Sequence, residues 1–197
     1  MTKIAPLSPR PEVLEFLLTR RSRPAKTLAA PVPDRATIET LLIAAARSPD
    51  HGKLEPWRFV VLERAACARL AELTLALGGA RAMDPAKLEK DVRGFADAHL
   101  VVAVIAAPVA SDKVPEIEQI MSAGTVCLAL VNAALAAGWG ANWLSGWMAR
   151  DRAFLTEGLG LTETEFVAGF IHIGTETVVP PERPRPDVAA LTTWLEE

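Results

Sequence analysis

Three short clusters hold most of the residue types that do chemistry. Near the N-terminus, Arg20-Arg21-Ser22 sets two guanidiniums beside a hydroxyl at the end of a helical stretch. That trio suits bidentate recognition of a phosphate or a polyol chain; a solvated basic helix end, favoured by the macrodipole, has the same composition. The second cluster runs from Ala46 to Trp57 and packs Arg47, Asp50, His51, Lys53 and Glu55 between and around Pro49 and Pro56. A loop so constrained and so polar is a common carrier of function on a rigid scaffold, although a proline-braced turn anchored by Trp57 needs some of the same residues. The third cluster alternates Gly138, Gly140 and Gly146 with Trp139, Trp143 and Trp147. Glycine lets a flat ligand approach the backbone and tryptophan offers planar apolar surface; a tight turn with core aromatics is the plainer alternative.

Around these clusters the chain is chemically quiet. It has no G-x-S-x-G elbow, no P-loop, no H-E-x-x-H and no G-x-G-x-x-G after a strand. His51, His99 and His172 lack metal-ligand spacing, and the last two, beside or within apolar runs, read as hydrogen-bonded structural residues. Cys67 and Cys127 fall in Ala-rich helical stretches and read as reduced core residues. With 21 Lys+Arg against 24 Asp+Glu, the net charge of -3 offers no attraction to nucleic acid. The N-terminus lacks the apolar core of a secretory signal. Of the two longest apolar runs, Leu100–Pro108 is too short to span a bilayer, and Met121–Ala137 is interrupted by Ser122, Gly124, Thr125 and Asn132. The expectation is a soluble, cytoplasmic protein with neither a nucleic-acid nor a membrane partner.

Hydrophobic periodicity supplies the elements that position the clusters. Ser8 is expected to cap a first helix with Pro11 and Glu12 in its opening turn, leading into Arg20. Asp34 caps a second helix, with Ile38, Leu41, Leu42 and Ala45 on one face, ending near Arg47 ahead of Pro49. Phe59–Leu62 reads as a buried strand. A third helix covers Arg64 to Leu77 and stops at Gly78-Gly79; Pro85 opens a fourth, reaching Ala98. Leu100–Ala106, apolar and β-branched on both faces, reads as a central strand. Glu116–Ala137 is the longest helix and apolar nearly all round, as expected at a subunit interface. Ala141–Leu144 and Phe166–Ile173 are strands, with a short helix capped by Asp151 between them. Val178–Pro186 is extended, and Asp187 is expected to cap a last helix through Trp194. No repeat or linker divides residues 1–197, so the expectation is one α+β domain.

Taken in order, these motifs resemble the nitroreductase family. R-R-S is followed by P-x-H-x-x-x-x-P-W, then the Ala-rich helix, G-x-x-W-x-S-G, G-F-I-H-I-G-T and E-R-P-R-P-D. Each is loose alone, but the ordered set covers Val13 to Trp194 and is similar to the compact bacterial NAD(P)H nitroreductases. The resemblance implies an α+β nitroreductase fold, with a small, mostly antiparallel sheet flanked by helices and two chains intertwined as a homodimer. It implies FMN in two equivalent interface pockets, with NADH or NADPH as electron donor. By similarity, Arg20, Arg21 and Ser22 hold the phosphate and ribityl end or the polar edge of the flavin. Arg47, His51 and Lys53 reach the same flavin from the other subunit, while Trp143, Leu144, Ser145 and Gly146 line the rings. Arg185, or alternatively Arg183, closes over the phosphate, and Ala133–Gly138 is the corresponding nicotinamide segment.

The implied reaction is ping-pong reduction of a small electron acceptor, such as a nitroaromatic or a quinone, with no covalent protein nucleophile and no side chain assigned as a proton donor. Asp50, His51, Lys53 and Glu55 stand where many members carry serines, an asparagine and a glutamine, which bears more on the acceptor than on the FMN. Dehalogenation, flavin destruction, enone reduction and non-catalytic flavin storage remain alternatives on the same fold.

Overall fold

The computed structural model describes residue 4 and residues 6–196. Five strands form one antiparallel sheet: β1 (Leu28–Ala29), β2 (Trp57–Glu63), β3 (Leu100–Ala106), β4 (Gly140–Leu144) and β5 (Phe166–Glu176). β5 is the spine. β3 runs along one of its edges and β4 along the other, while β1 pairs with Thr175 and Glu176 near its end. β2 closes the far side of β3, in register from Trp57 opposite Ala106 to Glu63 opposite Leu100.

Strand periodicity divides the core in two. On one face of β3, Val101, Ala103 and Ile105 pack with Phe95, Phe154, Phe170 and the helices α3 (Arg64–Ala80) and α4 (Pro85–Ala96). On the other, Leu100, Val102 and Val104 pack under α2 (Arg35–Ala45) and α5 (Glu116–Ala136). All seven β3 residues are buried, which is why this strand shows no alternation in sequence. Asp34 caps α2 as expected, its Oδ1 accepting from the Thr37 amide at 2.8 Å. Both cysteines are buried and unpaired; burial pushes the Cys67 thiol up to about 11 and the Cys127 thiol up to about 12, so neither is poised as a nucleophile.

Three local expectations need correction. α1 spans Pro11–Thr19 with Arg10 at its N-cap and no side-chain cap, so Ser8 does not serve. α3 runs through Gly78 and Gly79 to Ala80. Gly78 is there for packing, since a Cβ on it would lie 2.2 Å from the Leu88 methyl of α4. The helix expected after Asp187 is only a turn at residues 188–191, where Asp187 Oδ1 accepts from the Ala189 and Ala190 amides at 3.0 and 3.3 Å. Val188, Leu191 and Trp194 remain exposed, and so short a helix has little stability without packing.

The helix α5 is half as expected. Val126, Cys127, Leu130 and Ala134 face the sheet, but Ile117, Met121 and Leu128 are 59, 64 and 46% exposed along the opposite stripe. Among the described residues α5 is the one helix long and apolar enough to cross a membrane, yet one face is committed to the sheet. α1 buries none of its residues and exposes Val13, Leu14, Leu17 and Leu18.

Candidate functional site

Arg20-Arg21-Ser22 follows α1 directly and is pinned to the sheet by the next residue. The Arg23 amide donates to the Ala141 carbonyl at 2.9 Å, and its guanidinium pairs with Glu176 and donates to the Arg21 carbonyl. Arg20 Nη2 donates to Ser22 Oγ at 2.9 Å, and Arg21 Nη1 donates to the Ser22 carbonyl at 3.1 Å. Arg185 arrives from the C-terminal tail; its Nη2 lies 3.5 Å from the Arg20 carbonyl and 2.7 Å from Glu182 Oε1. Burial, then Arg185, Arg21 and Arg23, hold the Arg20 guanidinium below its ordinary value. The Nε atoms of Arg20 and Arg21 are buried and have no hydrogen-bond partner among the described residues. Guanidiniums that crowd one another and keep unused donors are chemically suited to an anion.

Beside this cluster opens a cavity of about 600 Å³. Lys26 stands on one wall, Glu89, Lys90, Arg93 and Asp97 of and just after α4 on the other, with Arg93 paired to Asp97 at 3.2 Å, and Asn142, Leu144 and His172 of the sheet contribute to its floor. The alternation of β4 sorts the expected ring-lining residues. Leu144 faces the cavity with Asn142, whereas Trp143 turns to the α5 side and donates from Nε1 to the Ala168 carbonyl at 3.3 Å. Its indole occupies the space left by Gly169, where a Cβ would lie 2.2 Å from Nε1. Trp143 and Leu144 therefore present side chains to opposite faces. Ser145 and Gly146 are exposed just beyond the strand. His172 is 5% exposed, as a strand residue should be, but it has no hydrogen bond among the described residues, contrary to expectation.

Arg47, His51 and Lys53 lie at the other end of the sheet. Their loop meets the end of β3, where the Ala107 amide donates to the Pro56 carbonyl at 2.9 Å. The seven residues of β3 span about 20 Å, and Ala98, just before β3, borders the cavity. Within one chain, then, the loop and the arginine cluster do not meet.

The loop is held by its own chain. Asp50 accepts from the Leu54 and Glu55 amides at 3.0 and 2.8 Å. Ser122 of α5 accepts from Trp57 Nε1 at 3.2 Å and donates to the Pro49 carbonyl at 2.8 Å. His51 Nδ1 lies 2.7 Å from Glu118 Oε2. Gly52, Lys53 and Glu55 have φ of 75°, 56° and 49°, a left-handed geometry unfavourable for the two non-glycine residues. Arg47 and Lys53 are exposed, without side-chain hydrogen bonds among the described residues.

Sequence reasoning did not single out Lys26, Lys90, Arg93, Asn142 or Glu118. Lys90 and Arg93 are spaced i, i+3 on α4, a signal that was visible but indistinguishable from an ordinary solvated face. Arg183 donates only its backbone amide to Glu182 Oε1, at 2.8 Å; of the two tail arginines, Arg185 is the one beside Arg20.

The sequence profile of the nitroreductase family matches residues 17–175. The chain is 34% identical over 164 residues to YdjA of Escherichia coli (strain K12), named provisionally as an NAD(P)H nitroreductase; the match covers 83% of this chain and 88% of YdjA. A Haemophilus influenzae protein with the same provisional name is 36% identical over 166 residues, again 83% and 88% of the two chains. Among solved structures, a nitroreductase-like family protein from Bacillus cereus superposes with a TM-score of 0.77 at 19% identity over all of both chains. A nitroreductase with bound FMN from Bacteroides fragilis gives 0.72 at 22% identity, over 94% of this chain and 99% of the other. The fold is that of the nitroreductases, and the chain belongs to the nitroreductase family.

Proposed function

We propose that this protein is an FMN-dependent oxidoreductase that uses NADH or NADPH to reduce nitroaromatics, quinones or similar small electrophiles. The observation that carries the reading is the pair of guanidinium Nε–H groups of Arg20 and Arg21, unpartnered among the described residues, a few residues ahead of Pro24–Lys26 in the wall of a cavity of about 600 Å³. A phosphorylated flat molecule answers both features: its phosphate takes the donors and its rings take the cavity, whose volume is typical of a cofactor pocket. Relatives named as NAD(P)H nitroreductases, and a neighbour solved with FMN, support the same choice.

When bound, FMN supplies the hydride and electron chemistry, and the protein supplies position and electrostatics. Arg20, Arg21, Ser22 and Arg185 hold the phosphate and ribityl end. Leu144 and Asn142 bound the ring slot, with the Ser145-Gly146 backbone at its edge. On the α4 wall Lys90 and Arg93 are offset by Glu89 and Asp97, with Arg93 paired to Asp97 at 3.2 Å, so the positive charge that suits a phosphate lies with the arginine cluster. Trp143 supports the slot through its backbone and its packing on Gly169, not through its ring face.

Arg47, His51 and Lys53 belong to the site of a second copy, because about 20 Å of sheet separates them from the cavity of their own chain. The apolar stripe of α5 and the uncovered face of α1 suit burial in a homodimer with two equivalent sites. We place the protein in the cytoplasm, as one domain over residues 1–197, with a small-molecule acceptor as its other partner. Donor and acceptor exchanging through one open site give ping-pong kinetics.

Purified protein should be yellow, dimeric by light scattering, bleached anaerobically by NADH or NADPH, and restored by air. Parallel steady-state assays with nitrofurazone, menadione and an enone separate nitro or quinone reduction from the other activities of this fold. Flavin binding without NAD(P)H oxidation would instead indicate storage, and a colourless protein indifferent to added FMN contradicts the proposal.

A further inference from the structure

His172 lies on β5 opposite Asn142 of β4 and contributes to the wall of the large cavity. Phe95 of α4 packs beside its ring, with centroids 6.4 Å apart. The imidazole is 5% exposed and has no hydrogen bond to the described residues. A void of about 10 Å³ touches the same residue, at the lower limit of the space one water requires. A buried imidazole has one donor and one acceptor to satisfy, so one water leaves a ring nitrogen for whatever fills the cavity.

On the flavin reading above, we propose that His172 is a binding residue for the ring system, hydrogen-bonding the polar pyrimidine edge from the cavity floor. That edge alternates carbonyl oxygens with ring nitrogen, so a neutral imidazole matches it as donor or acceptor. Burial pushes His172 down to about 4, which keeps it neutral at ordinary pH. The phosphate lies with Arg20 and Arg21, whereas His172 sits with Asn142 and Leu144 on the part of the floor assigned to the rings. The two contacts are thus separable by ligand chemistry.

The test compares FMN with riboflavin, which has the same rings and no phosphate, by titrating flavin-free protein. His172→Phe keeps a flat ring beside Phe95 and removes both nitrogens. It is expected to weaken FMN and riboflavin by the same factor, about three- to tenfold, the value of one neutral hydrogen bond. Arg20→Ala is expected to weaken FMN far more than riboflavin. Ligand-free His172→Phe should melt at or above the parent temperature, having lost a buried unsatisfied group, and FMN should raise its melting point less than it raises that of the parent. His172→Asn, which restores a donor and an acceptor, should recover part of the affinity for both flavins. Parental affinity for both flavins in His172→Phe overturns the inference, as does a loss confined to FMN. Failure of the parent protein to bind either flavin defeats the flavin reading itself.

Discussion

The two ends of the sheet are built on opposite principles. At the β1–β4 end, Arg20, Arg21, Arg23 and Arg185 crowd together, two of their Nε atoms have no partner among the described residues, and a cavity lined by Pro24, Ala25 and Lys26 opens beside them. At the β2–β3 end, the Pro49–Trp57 loop is braced through Asp50, Ser122 and Glu118 and turns Arg47 and Lys53 outward. Donors left unused among the described residues suit a ligand; a stiffened loop that turns its cations outward suits another surface. The difference teaches how one chain can carry two unlike ends; on the proposed reading, two copies of the chain join them.

The strongest way to break the comparison is to keep the copies apart. Met121→Glu puts a charge in the middle of the exposed α5 stripe, and burying an unpaired carboxylate at an interface is prohibitive. The expected outcome is loss of dimer and of flavin together, read by light scattering and absorbance; a monomer that retains flavin would show each end sufficient by itself. Next in size, Arg20→Ala removes a charged hydrogen bond worth about 1.5–3 kcal/mol, or about 10- to 150-fold in FMN affinity by titration.

The presented end is sharpened by Lys53→Gly. Lys53 has φ 56°, and relieving that geometry should raise thermal stability by up to about 1 kcal/mol. FMN affinity and turnover should nevertheless fall, because the cation is gone. A variant equally stable and equally active leaves Lys53 without a part in the site.

The smallest effect concerns the frame between the two ends. Glu165 accepts from Arg58 at 2.6 and 3.0 Å and from the Thr162 amide, interactions that hold its carboxyl down at about 2. A carboxylate depressed in the folded state stabilises above its unfolded value and loses that contribution as pH falls from about 4.5 to about 2. Glu165→Gln should flatten the acid limb of stability in that window, followed by chemical denaturation at each pH, and change little near neutrality in how the two ends behave.

How much of this was legible beforehand depended on whether the cause was local. Leu100–Ala106 announced a buried strand because every side chain is apolar, and Asp34 announced a helix start because its carboxylate answers an amide three residues on. The arginine cluster and the loop stood out by composition. Long-range packing was hidden: Gly78 looked like a helix stop until Leu88 of the next helix was seen against it. The opposite facing of Trp143 and Leu144 follows from β4 being a regular strand whose registration with β5 the glycine pattern does not reveal. Lys90 and Arg93 carry no mark that separates a cavity wall from a solvated helix face. The exposed tail after Asp187 shows the limit of capping signals, since a cap without packing yields a turn.

The most direct measurement is complementation between two defective chains. Arg20→Ala damages the receiving end and Lys53→Ala the presenting end, so homodimers of either should bind FMN poorly. Mixing them by subunit exchange should create one intact, tight site in each mixed dimer, seen as flavin binding and NAD(P)H oxidation returning after exchange. If Arg20 and Lys53 instead serve the same site from the same chain, every site in the mixture keeps one defect, no tight binding returns, and the account is contradicted.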